Sequence, residues 1–438
     1  MTLKVWWFPE YSPSQQQVFD DIVSIIKQAY TKYGYMHIET PAVERSEILL
    51  KWWENASKEI FGLYGMASWI EDIKGYGLNF DLTIPFARYV LDHQGSLIFP
   101  FKRYQIQDCW RWERPQRWRF RQFKQADIDA IWRQDDWAVK YLLYDAEIIV
   151  LLRETLELIR TKYLAKKAIT THINNRNILW WLFSAVTWED PVTMQKLSKL
   201  FDSFYKLQQT EFDEQLQTIL SWSSYETVKQ FLSLWLDNLD EKFIQHPLFI
   251  QWVSELKEVF VHLHLMWSDV WTRYVYDPFI VRWLDYYTWT VFENLIAWEY
   301  ELWSICSWWR YANLTQSLDP HSAQFDWVWW SIWISRIFSL VQEHITALST
   351  RKNWVILLHF AETLPEIIRL WNHLKQKNIA VDIFPWPDKL SKQFQYADKH
   401  NIKHVILLWP WELQEWVYQI KEMKSGDTLK KTLPRLEA

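Results

Sequence analysis

The chain has 438 residues, 23% of them charged and 49% hydrophobic, with a net charge of −5. That is the composition of an ordinary globular protein of two or three domains, not of a generally basic nucleic-acid binder, so any RNA contact must rest on local basic patches. No N-terminal apolar run follows a basic start, no stretch reaches a membrane-spanning length, and Cys109 and Cys306 form no metal or disulfide pattern; a cytoplasmic protein is expected.

Along the chain, Val18, Ile22, Ile25, Ile26 and Ala29 have the spacing of an amphipathic helix over 11–33, with Ser14 as candidate cap. A strand at 35–40 ends at Pro41, and alternating segments at 97–106 and 119–131 predict an antiparallel hairpin. Residues 138–162 read as a long helix. From 165 to 270 the pattern is mostly helical, broken at Glu189-Asp190-Pro191 and His246-Pro247. Strand signals return at 279–293 and 305–312, and a helix follows Ser331. Beyond Arg351, strands at 355–360, 381–384 and 405–408 alternate with helices at 364–377 and 388–400, the pattern of a small α/β domain. The expected division is 1–164, a helical insertion at 165–271, 272–350, and a C-terminal domain at 351–438.

One ratio is out of line. There are 34 Trp and 7 Gly, where ordinary usage of roughly 7% would give about 31 glycines. Trp pairs stand at 6-7, 52-53, 180-181, 308-309 and 329-330, most of them beside polar or turn-forming residues. The run Trp327-Val328-Trp329-Trp330-Ser331-Ile332-Trp333 reads poorly as a packed strand; with glycines it becomes a glycine-rich turn entering a helix, a device that seats phosphates or a nucleotide. Either the protein is Trp-rich, binding sugars or membranes, or many of these Trp are UGA codons that the cell decodes as glycine. The missing glycines favour the second.

Residues 111–124 hold six basic side chains and one acid. They form either a solvated charged hairpin or a pocket wall. In the strand that follows, Phe123, Gln125, Asp127 and Asp129 share one face and Ala126, Ile128 and Ala130 the other. A face with an aromatic, an amide and two carboxylates beside several arginines suits a triphosphate and a cationic ligand together.

These residues carry a family resemblance. Arg111-Trp112-Glu113, with Arg119 and Phe123, resembles motif 2 of the class II aminoacyl-tRNA synthetases, and Glu113-Arg114-Pro115-Gln116 with Phe123-Lys124-Gln125 is similar to the histidyl members. The run 281–293, with Arg282, Tyr286 and Tyr287, resembles their histidine-specific motif; Ser307-Trp308-Trp309-Arg310-Tyr311 their glycine-glycine-arginine-tyrosine signature; 329–336 motif 3; and 38–88 motif 1 with the first substrate loop. Departures are the Trp-for-Gly positions, Asn79-Phe80 in place of arginine and proline, and Ala312 in place of aspartate.

The resemblance implies an α+β fold: an antiparallel class II sheet flanked by helices, a helical insertion and a C-terminal anticodon-binding domain. It implies a ligase that activates histidine with ATP, accompanied by Mg²⁺, and charges tRNA(His) as a homodimer. Arg111 would hold the α-phosphate and the substrate carboxylate, with Arg282 across from it. Glu113 would meet the adenine amino group, Phe123 and Arg336 would sandwich the ring, and Arg119 would reach the γ-phosphate. Asp81, Thr83 and Gln125 would take the ammonium group, Asp129 and Tyr287 the imidazole nitrogens, with Tyr286 and Tyr311 completing the pocket. Arg114, Gln116, Lys389, Lys392, Gln393 and Tyr396 are candidate tRNA contacts. No ligand cluster names a metal site. Trp289, Trp308, Trp309, Trp329, Trp330 and Trp333 would crowd the cleft or splay to solvent, whereas Trp110 is expected to be a true tryptophan. Two other classes remain: a non-catalytic regulatory subunit on the same fold, and a defective synthetase that binds RNA without charging it.

Overall fold

The computed structural model describes residues 4–52, 58–63, 65, 75–114, 119–133, 142–164, 168–242, 246–266, 274–280, 288–296, 306–311, 314–342, 354–386 and 389–433. Contacts group the chain into two compact units, Met1–Glu10 with Phe19–Glu343 and Tyr11–Val18 with His344–Ala438. Among the described residues no helix is long and apolar enough to cross a membrane.

The strands of the first unit are β1 (Met36–His37), β2 (Val43–Arg45), β3 (Gly62–Leu63), β4 (Tyr76–Leu78), β5 (Phe101–Trp110), β6 (Gln122–Arg133), β7 (Ile169–Asn175), β8 (Tyr274–Tyr276), β9 (Thr288–Ile296), β10 (Cys306–Tyr311) and β11 (Phe325–Trp333). Among the described residues β2, β4 and β3 make a small sheet, and the others make an eight-stranded sheet in the order β1-β5-β6-β11-β10-β9-β7-β8. Its inner pairs are antiparallel; only the edge strands β1 and β8 run parallel to their neighbours.

β6 lies in the middle of this sheet and is buried on both faces. One face presents Ala126, Ile128 and Ala130, all inaccessible. The helix Leu143–Tyr163 packs against β11 and β7, and the helix Ile334–Gln342 against β6. The other face is polar at its centre. At one end it is closed by an apolar cluster of Ile84, Phe86, Ala87 and Val90 from the helix Thr83–His93 with Phe101, Ile131, Phe325 and Trp327.

Several local features differ from expectation. Pro13 opens the first helix, Pro13–Lys32, so Ser12, not Ser14, is its cap: Ser12 N donates to Gln15 Oε1 at 2.9 Å and Gln15 N to Ser12 Oγ at 3.4 Å, a reciprocal capping box. The strand expected at 35–40 shortens to β1, since it has a partner only along β5. Inside the segment expected as a helical insertion, β7 is a strand of the main sheet, with Ile169, Thr171 and Ile173 buried by alternation. The turn expected at 327–333 is the strand β11, and the helix begins at Ile334. In-register partners on both sides, β6 and β10, outweigh any local turn preference there.

Between β7 and β8 run the helices Arg176–Thr187, Pro191–Asp202, Gln209–Ile219, Trp222–Ser233, Leu236–Lys242 and Pro247–Met266. Asn175, Asp190 and Ser221 cap three of them through backbone N–H groups. A partly buried polar knot ties this helical layer to the sheet edge. Asp277, just after β8, holds His172 of β7 through Nδ1 at 2.6 Å and accepts the Tyr205 hydroxyl.

In the second unit β12 (Val355–Leu358), β13 (Val381–Ile383), β14 (His404–Leu407), β15 (Val417–Glu422) and β16 (Thr428–Thr432) order as β13-β12-β14-β15-β16. The first three are parallel and the last two antiparallel. Leu357 and Ile406 pack beneath Ile367 and Leu370 of the helix Leu364–Gln376. Ile356, Leu358 and Val405 on the other face meet Ala397 of the helix Leu390–Lys399. The expected α/β alternation is therefore present, extended by two strands. β16, exposed throughout and lysine-bearing, is a protected edge rather than a core strand.

Tyr205→Phe should lower stability by about 1–3 kcal/mol in urea unfolding, because the buried Asp277 carboxylate loses a donor. A change within error would show that the knot does not hold the helical layer.

Candidate active site

The strand register assembles the site. β5 pairs with β6 so that Arg103 faces Asp129, Gln105 faces Asp127, Gln107 faces Gln125 and Cys109 faces Phe123. On the other side β11 sets Trp329 beside Asp129, Ser331 beside Asp127 and Trp333 beside Gln125. Because side chains alternate, all these residues lie on one face of the sheet. Tyr311 occupies the register position next to Trp327 on β10, one strand further.

At the acidic end three carboxylates are buried together. Asp81 precedes the helix Thr83–His93 and accepts its N–H groups from Thr83 at 3.2 Å and Ile84 at 3.3 Å, where the helix dipole favours negative charge. Burial raises its pKa while Arg111 and those N–H groups hold it down. Asp129 and Arg103 form an ion pair of 2.8 Å with both side chains fully inaccessible. Burial disfavours both charges, raising the Asp129 carboxyl and lowering the guanidinium, and their contact is the main compensation. Asp127 accepts the Trp329 indole N–H at 2.8 Å. Its carboxyl is pushed up from 3.8 to about 7 by burial, against the pull of Arg103 and of hydrogen bonds from Ser331 and Trp329. Gln125 is held by Cys109 Sγ at 2.9 Å and donates to Ser331 Oγ at 3.2 Å. Burial raises the Cys109 thiol too, which makes it an inert donor.

The other end is aromatic and cationic. Arg111 donates through Nε to Phe80 O at 3.1 Å. Its guanidinium lies 4.2 Å from the Phe80 ring, 5.1 Å from Phe123 and 5.3 Å from Trp333. The Phe123 and Trp333 rings stack with centroids 5.5 Å apart, and the Arg336 guanidinium lies 4.0 Å from the Trp333 ring. Glu113 and Arg119 pair at 3.4 Å near the turn between β5 and β6, and Arg114 is exposed there.

Of the residues singled out from sequence, Asp81, Thr83, Arg111, Phe123, Gln125, Asp129 and Arg336 thus come together around one sheet face. Gln116, Arg282, Tyr286 and Tyr287 lie outside the described residues, and so do the side chains of Tyr311, Trp289, Trp308 and Trp309. Trp330 departs from expectation: it points to the opposite face and packs on Phe292, centroids 4.2 Å apart. Trp110 is half-buried at the end of β5. Arg103 and Gln105 were missed. Their signal was the alternation of Arg103, Gln105 and Gln107, which places three polar residues on one face of a strand bound for the interior.

In the second unit Lys389 and Lys392 are exposed, and Tyr396 is half-buried against Phe384 and His400. Gln393 departs from the expected tRNA contact. It is fully buried, taking His359 N at 3.0 Å on its oxygen and giving its amide to His359 O at 2.8 Å. Facing the strand rather than solvent, it staples the helix to the end of β12.

An antiparallel sheet that carries an arginine-flanked aromatic slot and a carboxylate pocket on one face is the catalytic architecture of a class II aminoacyl-tRNA synthetase. A sequence model for histidyl-tRNA synthetase matches residues 8–299. The chain is 31% identical to the histidine--tRNA ligase of Clostridium tetani, over 96% of this chain and 93% of that protein. It is 32% identical to the Thermobifida fusca histidine--tRNA ligase, over 91% and 90%. The crystal structure of histidyl-tRNA synthetase from Nostoc sp. PCC 7120 superposes with a TM-score of 0.84 at 27% identity, covering 99% of this chain and 97% of that one. The chain belongs to the histidyl-tRNA synthetase family.

Arg103→Ala should cost about 3–5 kcal/mol in urea unfolding, because it strands the Asp129 charge in the interior; the double change Arg103→Met with Asp129→Leu should restore most of it. A single-variant loss below about 1 kcal/mol would deny the pair a structural role. Asp127 gives a pH signature. Its folded-state pKa is raised, so the native state keeps a proton that the unfolded chain has released, and stability drains as pH rises from 3.8 to about 7. The unfolding free energy of Asp127→Asn, relative to the parent, should therefore climb across that window and level off above it. A pH-independent difference would sink the assignment.

Proposed function

We propose that this face of the sheet is where the enzyme, a histidine--tRNA ligase, binds ATP and histidine end to end, forms histidyl-adenylate and passes the aminoacyl group to the 3′ end of tRNA(His). The observation that supports the residue assignment is the register of β5, β6 and β11, which puts Phe123, Gln125 and Asp129 on one face, together with Arg111 over the Phe123 ring and Arg336 over Trp333.

The reaction needs little covalent chemistry from the protein; positioning and charge stabilisation dominate. The histidine carboxylate attacks the α-phosphorus and pyrophosphate leaves. Arg111, anchored on Phe80 O, is assigned to the α-phosphate and attacking carboxylate, and Arg282 to the opposite side of the same phosphate. Phe123 and Arg336 are assigned to the two faces of adenine, Glu113 to its amino group and Arg119 to the γ-phosphate. The substrate ammonium is assigned to Asp81, Thr83 and Gln125. The imidazole is assigned to Asp129, with Tyr286, Tyr287 and Tyr311 around it. Because Arg103 already pairs with Asp129, that carboxylate is held in one orientation and retains an oxygen for a ring N–H; it is preorganised rather than free. Mg²⁺ is the ion expected with the triphosphate. Among the described residues no group of three His, Cys, Asp or Glu side chains converges on a metal site, so no protein cage is assigned to it. Arg114, Gln116, Lys389, Lys392 and Tyr396 are assigned to tRNA. A cytoplasmic homodimer, with motif 1 at the interface, completes the reading.

ATP–pyrophosphate exchange by the enzyme from its own cells should require histidine, and Arg111→Ala should lower its kcat by roughly 10²–10³. Asp81→Asn should instead raise the KM for histidine and leave that for ATP nearly unchanged. Exchange driven equally well by another amino acid would refute the substrate assignment.

A further inference from the structure

We propose that position 333 is glycine in the working enzyme, its codon being decoded as glycine rather than tryptophan, and that an indole at this one position shuts the nucleotide slot. The inference rests on the assignment of Phe123 and Arg336 to the purine. Trp333 ends β11 on the site face. Its ring stacks on Phe123, tilted by 23° at 5.5 Å, and the Arg336 guanidinium lies over it at 4.0 Å. An indole is a flat bicycle of purine size. The side chain thus fills the space between the two groups that the nucleotide base needs. It is also poorly served there: its N–H is buried and has no hydrogen-bond partner among the described residues. A residue selected to close this slot would be expected to satisfy its own donor.

The backbone supplies an independent observation elsewhere. Among the described residues, Trp7, Trp188 and Trp416 have φ of 70°, 55° and 52°, in the left-handed region. Bulky side chains avoid that region and glycine adopts it freely. Trp188 and Trp416 each sit directly after a helix, with N–H groups bonded back to Ser184 O and to Glu412 O and Leu413 O. Glycine dominates that C-terminal position. Trp188, 89% exposed, returns almost no packing for the strain, and Trp416 is itself 46% exposed. The chain also holds tryptophans whose surroundings do use an indole. Trp371 donates to Val381 O at 3.1 Å, and Trp132 is buried against Tyr144. Two populations under one letter, with 34 Trp against 7 Gly, are what a reassigned codon beside the ordinary tryptophan codon produces.

Trypsin cuts this sequence into peptides 177–196, 311–336, 370–375 and 404–421, which carry positions 188, 333, 371 and 416. Mass spectrometry of these peptides from the native protein should read glycine at 188, 333 and 416 and tryptophan at 371. Tryptophan at 333 in protein that catalyses exchange would overturn the proposal. In parallel, two proteins made in a host with the standard code would differ only at 333, both carrying Trp188→Gly and Trp416→Gly so that the helix ends are unstrained, and Trp289→Gly, Trp308→Gly, Trp309→Gly, Trp329→Gly and Trp330→Gly so that no other indole near the cleft confounds the comparison. Calorimetric titration with ATP should show at least about tenfold tighter binding for Trp333→Gly than for its Trp333 counterpart. Equal, measurable affinities would overturn the gating role. Glycine found at 333 with no ATP binding by either protein would overturn the purine assignment of this end and leave the identity of the residue standing.

Discussion

The pairing of β5 with β6 and of β6 with β11 is the constraint on which the site depends. A strand register is all or nothing, because a slip of one residue would send Asp127 and Asp129 to the helix-packed face and Ala126 and Ile128 into the cleft. The buried Arg103–Asp129 pair sits directly across that ladder. It fits in only one register, since any other would leave a guanidinium or a carboxylate alone in the interior. The same pair that pins the sheet also fixes the orientation of the Asp129 carboxylate.

That arrangement divides the two roles of the sheet between its faces. Small and branched residues on one side let helices approach closely, with Ala126 and Ala130 fully buried. The other side collects polar groups, several of them linked in a chain: Cys109 to Gln125, Gln125 to Ser331, Ser331 and Trp329 to Asp127. At the acidic end Asp81, Asp127 and Asp129 are buried with Arg103; burial favours their protonated forms, and a cation brought there would draw the protons off. A substrate that brings an ammonium group and an imidazole is suited to that end, and the cationic end suits a triphosphate.

Much of this was legible in the sequence, because β6 announces its two faces by simple alternation, and the α/β alternation after Arg351 marks a second unit. What was not legible depends on partners far along the chain. Arg103 reads alone as a surface cation; only its neighbour across the ladder, 26 positions later by number, makes it a buried structural charge. Gln393 and Tyr396 fall on one exposed-looking helix, yet Gln393 turns inward and bonds to both the N–H and the C=O of His359, just past the end of β12. β16, with Thr, Leu and Lys residues exposed throughout, has no periodicity to reveal it and exists through pairing with β15. β11 reads as a turn because its letters are wrong for a strand that lines a ligand cleft.

This last failure follows from physics rather than from pattern reading. Hydrogen bonding along a ladder is indifferent to the side chain, so β11 keeps its register with β6 and β10 whichever residue stands at 333. The face it presents is not indifferent. A central strand beside a nucleotide must bring its backbone near the ligand, and every side chain on that face takes volume from the cleft. Tryptophan is the largest side chain and glycine has none, so the same fold is open or shut according to how one codon is read. The helix ends make the complementary case, for there the ladder ends and the backbone angle itself asks for glycine. Strand face and helix end test different properties, volume in one and φ in the other, and both point to the same residue.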